Sequence, residues 1–118
     1  IVDSVMAAVR GADTALRALH GDPVVERRGY RQALIDAAVV LNAAVAADAV
    51  RRIFAEHLSE QMQVVFGVYD LSNRLVGLPD LQEDWRQGLF APPPATSVVD
   101  FAEDVVRSVY VRTLLGRA

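Results

Sequence analysis

Glu56, His57 and Glu60 fall within about one helical turn, a spacing at which two carboxylates and an imidazole can converge on a metal ion or share a proton. A di-metal site in a helical bundle needs a second such set on another helix, and the sequence offers none. The other histidine, His20, stands beside Gly21 at an expected helix end, where exposed carbonyls would mildly favour an imidazolium. Asp100, Glu103 and Asp104 crowd the start of another expected helix, where unpaired amides stabilise negative charge, so capping accounts for them without a general acid. No nucleophile-elbow glycines, phosphate-cradling glycine loop or metal-ligand spacing occurs, and zero cysteines exclude thiolate chemistry. The expectation is a non-enzyme with no cofactor and no metal.

What remains for chemistry is binding. Tyr30, Leu34, Met62, Val65, Phe66 and Tyr69, with Trp85 as a further member, are the candidate lining of an apolar pocket between helices. Methionine is soft and adaptable, and a tyrosine hydroxyl can orient one polar atom of a ligand in an otherwise apolar cavity. The commoner meaning of such a stripe at helical spacing is plain core.

Composition bounds the rest. A chain of 118 residues with 53% hydrophobic content can build one compact core and is short for two, so residues 1–118 are expected to form one domain. The net charge is −3, all 12 basic residues are arginine, and only Arg27-Arg28 and Arg51-Arg52 are adjacent, which leaves no positive stripe for a run of phosphates. No uninterrupted apolar run approaches the roughly 20 residues of a spanning helix, and no basic-then-apolar leader opens the sequence, so a cytoplasmic protein without membrane contact is expected. Ile1 in place of Met suggests a fragment whose missing part holds some of the function.

The periodicity predicts an all-α fold, a compact antiparallel bundle of about five helices. Val2, Val5, Val9, Ala12, Leu16 and Leu19 recur at three-and-four spacing as one apolar stripe, stopped by Gly21. Asp22-Pro23 suits a second helix start, with Leu34, Ala38, Leu41 and Val45 on one face and enough alanine for close helix approach. A third helix is expected from about Asp48, carrying Val50, Phe54, Leu58, Met62, Val65 and Tyr69 and ending near Gly77 and Pro79. Asp80 and Glu83 have capping-box spacing for a short fourth helix through Trp85 to Leu89. After Pro92-Pro93-Pro94 a fifth runs from near Ser97 or Asp100 through Val105, Val109 and Leu115. The competing local reading is a hairpin, with Val64 to Tyr69 and Arg74 to Val76 flanking an Asp70-Leu71-Ser72-Asn73 turn. The unbroken helical register and the small area a lone hairpin buries favour the helix.

Phe66-Gly67-Val68, Leu71-Ser72, Leu75, Gly77, Asp80-Leu81 and Trp85, together with Leu19 to Val25 and Arg28, resemble the C-terminal domain of TetR-type repressors that act as γ-butyrolactone receptors. The two motifs cover about a third of the chain; the interval between them is short and holds no Trp, and Phe66 stands where that family commonly has Thr. The resemblance implies a helical effector-binding and homodimerisation domain, with a small apolar effector entering between helices and DNA contacted only through a missing N-terminal domain. Such an effector acts by its difference in affinity for two conformations. The alternative is a helical interaction module without a small-molecule ligand, docking through its first or last helix. Val105, Val106, Val109, Tyr110, Val111, Leu114 and Leu115 make that last helix too apolar all round for a free surface.

Overall fold

The computed structural model describes residues 2–56 and 63–116. Four helices, α1 (Val2–His20), α2 (Tyr30–Ile53), α3 (Val98–Arg107) and α4 (Val109–Leu115), surround one apolar core, and three short strands, β1 (Val68–Asp70), β2 (Leu75–Leu78) and β3 (Arg86–Gln87), form a meander against α2. The fold is therefore mostly helical, with four helices and a three-stranded sheet among the described residues in place of the expected all-α bundle of five.

The first helix forms, but its buried face is only partly the expected stripe: Ala12 and Leu16 are buried and Val9 is partly so, while Val5 and Leu19 are exposed and the face is completed by smaller residues. Ala8, Ala12, Ala15 and Leu16 are buried on one face, and Arg17 pairs with Asp13 one turn back at 2.9 Å. Gly21 ends it with φ +81°, its N–H donating to the Arg17 carbonyl at 2.7 Å, a conformation that costs glycine nothing. Asp22-Pro23 then opens only a 3₁₀ turn, Asp22–Glu26, which buries Val24.

The second helix begins at Tyr30 and continues past Asn42 and Asp48, where breaks were expected. Asp48 is buried and held by Arg52 at 3.1 Å and by Arg51, so its charge is compensated within the helix and does not interrupt it. Ala33, Ala37, Ala38, Val40, Leu41 and Ala44 face inward. α2 is long and apolar enough by composition to cross a bilayer, yet these residues make it the central helix of the core.

Between Val65 and Leu89 the hairpin reading prevails over both expected helices. The Asp70 side chain accepts the Ser72 N–H at 3.0 Å, Asn73 accepts the Leu75 N–H at 2.9 Å, and Arg74 sits at φ +62° with its N–H on the Asp70 carbonyl. These local bonds satisfy the backbone without a helix and place Val68 opposite Gly77 and Asp70 opposite Leu75. The small area of a lone hairpin is remedied in two ways. A third strand pairs Gly77 with Gln87, and Phe66 exchanges two backbone hydrogen bonds of 2.9 Å with Phe90, closing the meander on itself. Asp80 does accept the Gln82 and Glu83 amides, both at 3.2 Å, which hold its carboxyl below the usual range, but the turn leads into β3 rather than a helix.

The expected last helix is two. Ser108, fully buried at φ −60° and ψ 154°, turns the chain between α3 and α4; its Oγ donates to the Val105 carbonyl and accepts the Val111 N–H at 3.3 Å. Val105, Val106, Val111, Leu114 and Leu115 all join the core beside α1 and α2.

Two close backbone approaches fix how the layers meet. A Cβ on Gly29, at the start of α2, would lie 1.8 Å from the Leu114 carbonyl oxygen, and one on Gly77 would lie 2.0 Å from that of Arg86. Gly29→Ala and Gly77→Ala should each lose about 1–3 kcal/mol of stability in urea titrations, because backbone on both sides must move. Gly116→Ala, whose Cβ would meet nothing nearer than 3.5 Å at φ −78°, should stay within about 0.5 kcal/mol of the parent.

Candidate functional site

A cleft of about 590 Å³ among the described residues runs between α1 and α3 with α2 beneath it. Ser4, Ala7, Gly11, Thr14 and Ala18 recur at helical spacing along α1, Val98, Val99 and Ala102 face them from α3, and Leu41 and Val45 make the floor. The cleft is open because these facing side chains are short; the buried Ala8 and Ala15 line its inner wall, and Ala12 beside them is fully buried. Its walls are almost entirely apolar. The polar groups are Ser4, Arg10 and Thr14 on α1 and Glu103 on α3, the last within 3.7 Å of Arg107.

None of the described residues expected to line a pocket faces this cleft. Tyr30 donates its hydroxyl to Asp13, and burial followed by that carboxylate raises its pKa above the ordinary phenol value. Leu34 packs at the edge of the helical core. Phe66 is 7% exposed and meets Phe101 edge to face at 6.1 Å, a packing role within the meander. Val65 is exposed, and Met62 lies outside the described residues, as do His57 and Glu60 of the carboxylate-histidine set.

Tyr69 and Trp85 do come together, with Tyr110, in a second cleft of about 360 Å³ between α2, β1 and α4. Tyr110 donates to Asp36 at 2.8 Å and stands edge to face with Trp85 at 5.5 Å, while the Trp85 Nε1 is buried without a partner among the described residues. Burial first, then the Asp36 hydrogen bond, with Asp70 and Asp84 adding to it, pushes the Tyr110 phenol well above its usual pKa. This cleft is acidic where the first is apolar. Among the described residues no group of three His, Asp, Glu or Cys is placed to hold a metal ion. His20 departs from the expected imidazolium, since burial and then the nearby Arg27 charge lower its pKa.

The α1 to α3 cleft carried a sequence signal that reads ambiguously. Ala7, Gly11, Thr14 and Ala18 form a stripe beside the apolar face of α1, and short residues there mean either tight packing or unfilled space; the position of α3 decides, and periodicity does not show it.

For Tyr110, a folded-state pKa above the unfolded value means the phenol's contribution is complete below about pH 10 and is lost as pH rises through the folded value. Tyr110→Phe should therefore cost about 1 kcal/mol at neutral pH and remove the most alkaline step from an ultraviolet tyrosine titration; an unchanged titration curve would contradict the assignment. In comparison with known proteins, the chain matches no family model, no curated protein and no solved structure.

Proposed function

We propose that this chain binds a small apolar molecule in the cleft between α1 and α3, and that binding rather than catalysis is its activity. The observation that carries the proposal is the cleft itself, whose volume of about 590 Å³ falls in the range of small-molecule sites and whose walls combine many apolar groups with a few polar ones at the edge. The setting suggested by the resemblance is the effector domain of a TetR-type repressor in the cytoplasm, released from DNA by its ligand. The residues of that resemblance from Phe66 to Trp85 build a meander where the resemblance implies helices, so the cleft, not the motif, supports the binding role. In either setting a ligand would act by binding more tightly to one arrangement of α1 and α3 than to another.

A second reading, an interface for a second copy of the chain, is favoured by the outer face of α2. Ile35, Val39, Val50 and Ile53 are exposed along it, Ile53 at 71%, and a helix apolar on all sides is ordinarily covered. The last helix, the other expected docking element, is already part of the core. Val39→Glu with Val50→Glu should convert a dimer to monomer in sedimentation analysis without loss of helix signal, and a wild-type chain that sediments as a monomer at high concentration would remove this reading.

The binding proposal is tested by thermal shift against lactones, furans and other apolar metabolites. A ligand specific to the folded state at a hundredfold excess over Kd adds about 2.7 kcal/mol, visible as a raised Tm. Thr14→Phe, an exposed position on the cleft wall, should abolish that rise while leaving the unliganded Tm within a few degrees of the parent. Absence of a saturable shift with any compound would overturn it.

A further inference from the structure

Resting on the binding role just proposed, we infer that the α1 to α3 cleft takes a linear anionic amphiphile, an unbranched acyl chain ending in a carboxylate, whose head group meets Arg10. The shape of the cleft comes first. Its lining runs along α1 from Ser4 to Ala18, about 21 Å of helix at the standard rise, with Val98 to Glu103 of α3 opposite and Leu41 and Val45 of α2 beneath. An elongated apolar wall of this kind suits an extended alkyl chain better than a compact ring system. Alanine, valine and leucine side chains offer such a chain methyl groups on three sides and no hydrogen-bonding partner along the floor.

The rim supplies the charge. Arg10 lines the cleft, is exposed, and takes part in no ion pair among the described residues. The carboxylate on the opposite wall, Glu103, is within 3.7 Å of Arg107 and so is already countered on its own helix. A guanidinium stays charged at any physiological pH and offers its donors in a plane that matches a carboxylate. Thr14, one turn from Arg10, adds a hydroxyl on the same wall. An apolar cleft edged by Arg10, a cation that no described carboxylate counters, fits an acyl carboxylate better than a neutral lipid of equal length, and better than an alkylammonium, which Arg10 would repel.

Decanoate, decanol and decylamine, each below its aggregation limit, separate this inference from the reading beneath it when titrated into the whole chain by calorimetry. Decanoate should bind more tightly than decanol by about three- to fivefold at low salt, the size of an exposed ion pair, and the margin should close at high salt. Arg10→Gln should erase the margin by weakening decanoate and leaving decanol unchanged. Thr14→Phe should weaken both. Equal affinity for decanoate and decanol in the parent chain, or tighter binding of decylamine, would overturn the anionic assignment while leaving the apolar cleft standing. Failure of all three to bind would overturn the cleft as a ligand site and this inference with it.

Discussion

The alanine face of α2 is the constraint on which the other elements depend. Ala33, Ala37, Ala38 and Ala44 lose little side-chain entropy on burial and let α1, α3 and α4 approach one central rod. The cost is limited apolar area per contact, because an alanine removes far less surface from water than a leucine does. Larger residues make up the difference where the partners differ. Leu16, Val24, Val106 and Val111 are almost wholly buried, and Leu114 brings α4 so close to the start of α2 that only a residue without a Cβ fits at position 29. The open groove between α1 and α3 follows from the same choice of small side chains.

The sequence made the helical part legible and misled in the middle for identifiable reasons. The helix over α1, the glycine stop at Gly21 and the burial of the final apolar run follow from periodicity, but on α1 the buried face shifts toward Ala8 and Ala15 and leaves Val5 and Leu19 of the expected stripe exposed. Asn42 and Asp48 suggested breaks because short polar side chains compete with helical backbone bonds, but Asp48 finds two arginines within one turn and the helix continues. From Val64 onward the three-and-four spacing coincided with a run equally suited to strands. The decision lay in Asp70 and Asn73, whose side chains each accept a backbone amide two residues on and so specify a turn. Ser108 was invisible for a related reason: a serine inside an apolar period looks like a tolerated interruption until its hydroxyl is seen to cap the next helix.

The candidate site was less legible than the fold. Large aromatic and sulfur-containing side chains are the pocket residues a sequence suggests, yet Phe66 packs against Phe101 and Tyr30 donates its hydroxyl to Asp13. Space in a protein is made by what is missing. The cleft between α1 and α3 is lined by Ala7, Gly11 and Ala18, residues that carry no chemical signature and acquire meaning only when a third helix is placed beside them.

Closure of the meander by Phe66 and Phe90 also divides the chain by contact range. Its widest pairing joins residues 24 apart, whereas α3 and α4 must return across the whole meander to reach α1 and α2. The loop-closure entropy of the sheet is therefore small and falls within one continuous stretch, while the helical layer is assembled from two stretches that the sheet keeps separate. The meander works as a spacer as well as a surface. By bringing Phe66 and Phe90 together, it shortens the effective tether between α2 and α3 from the full contour of the intervening chain to the two segments left outside the sheet, and so raises the local concentration at which α3 meets α1.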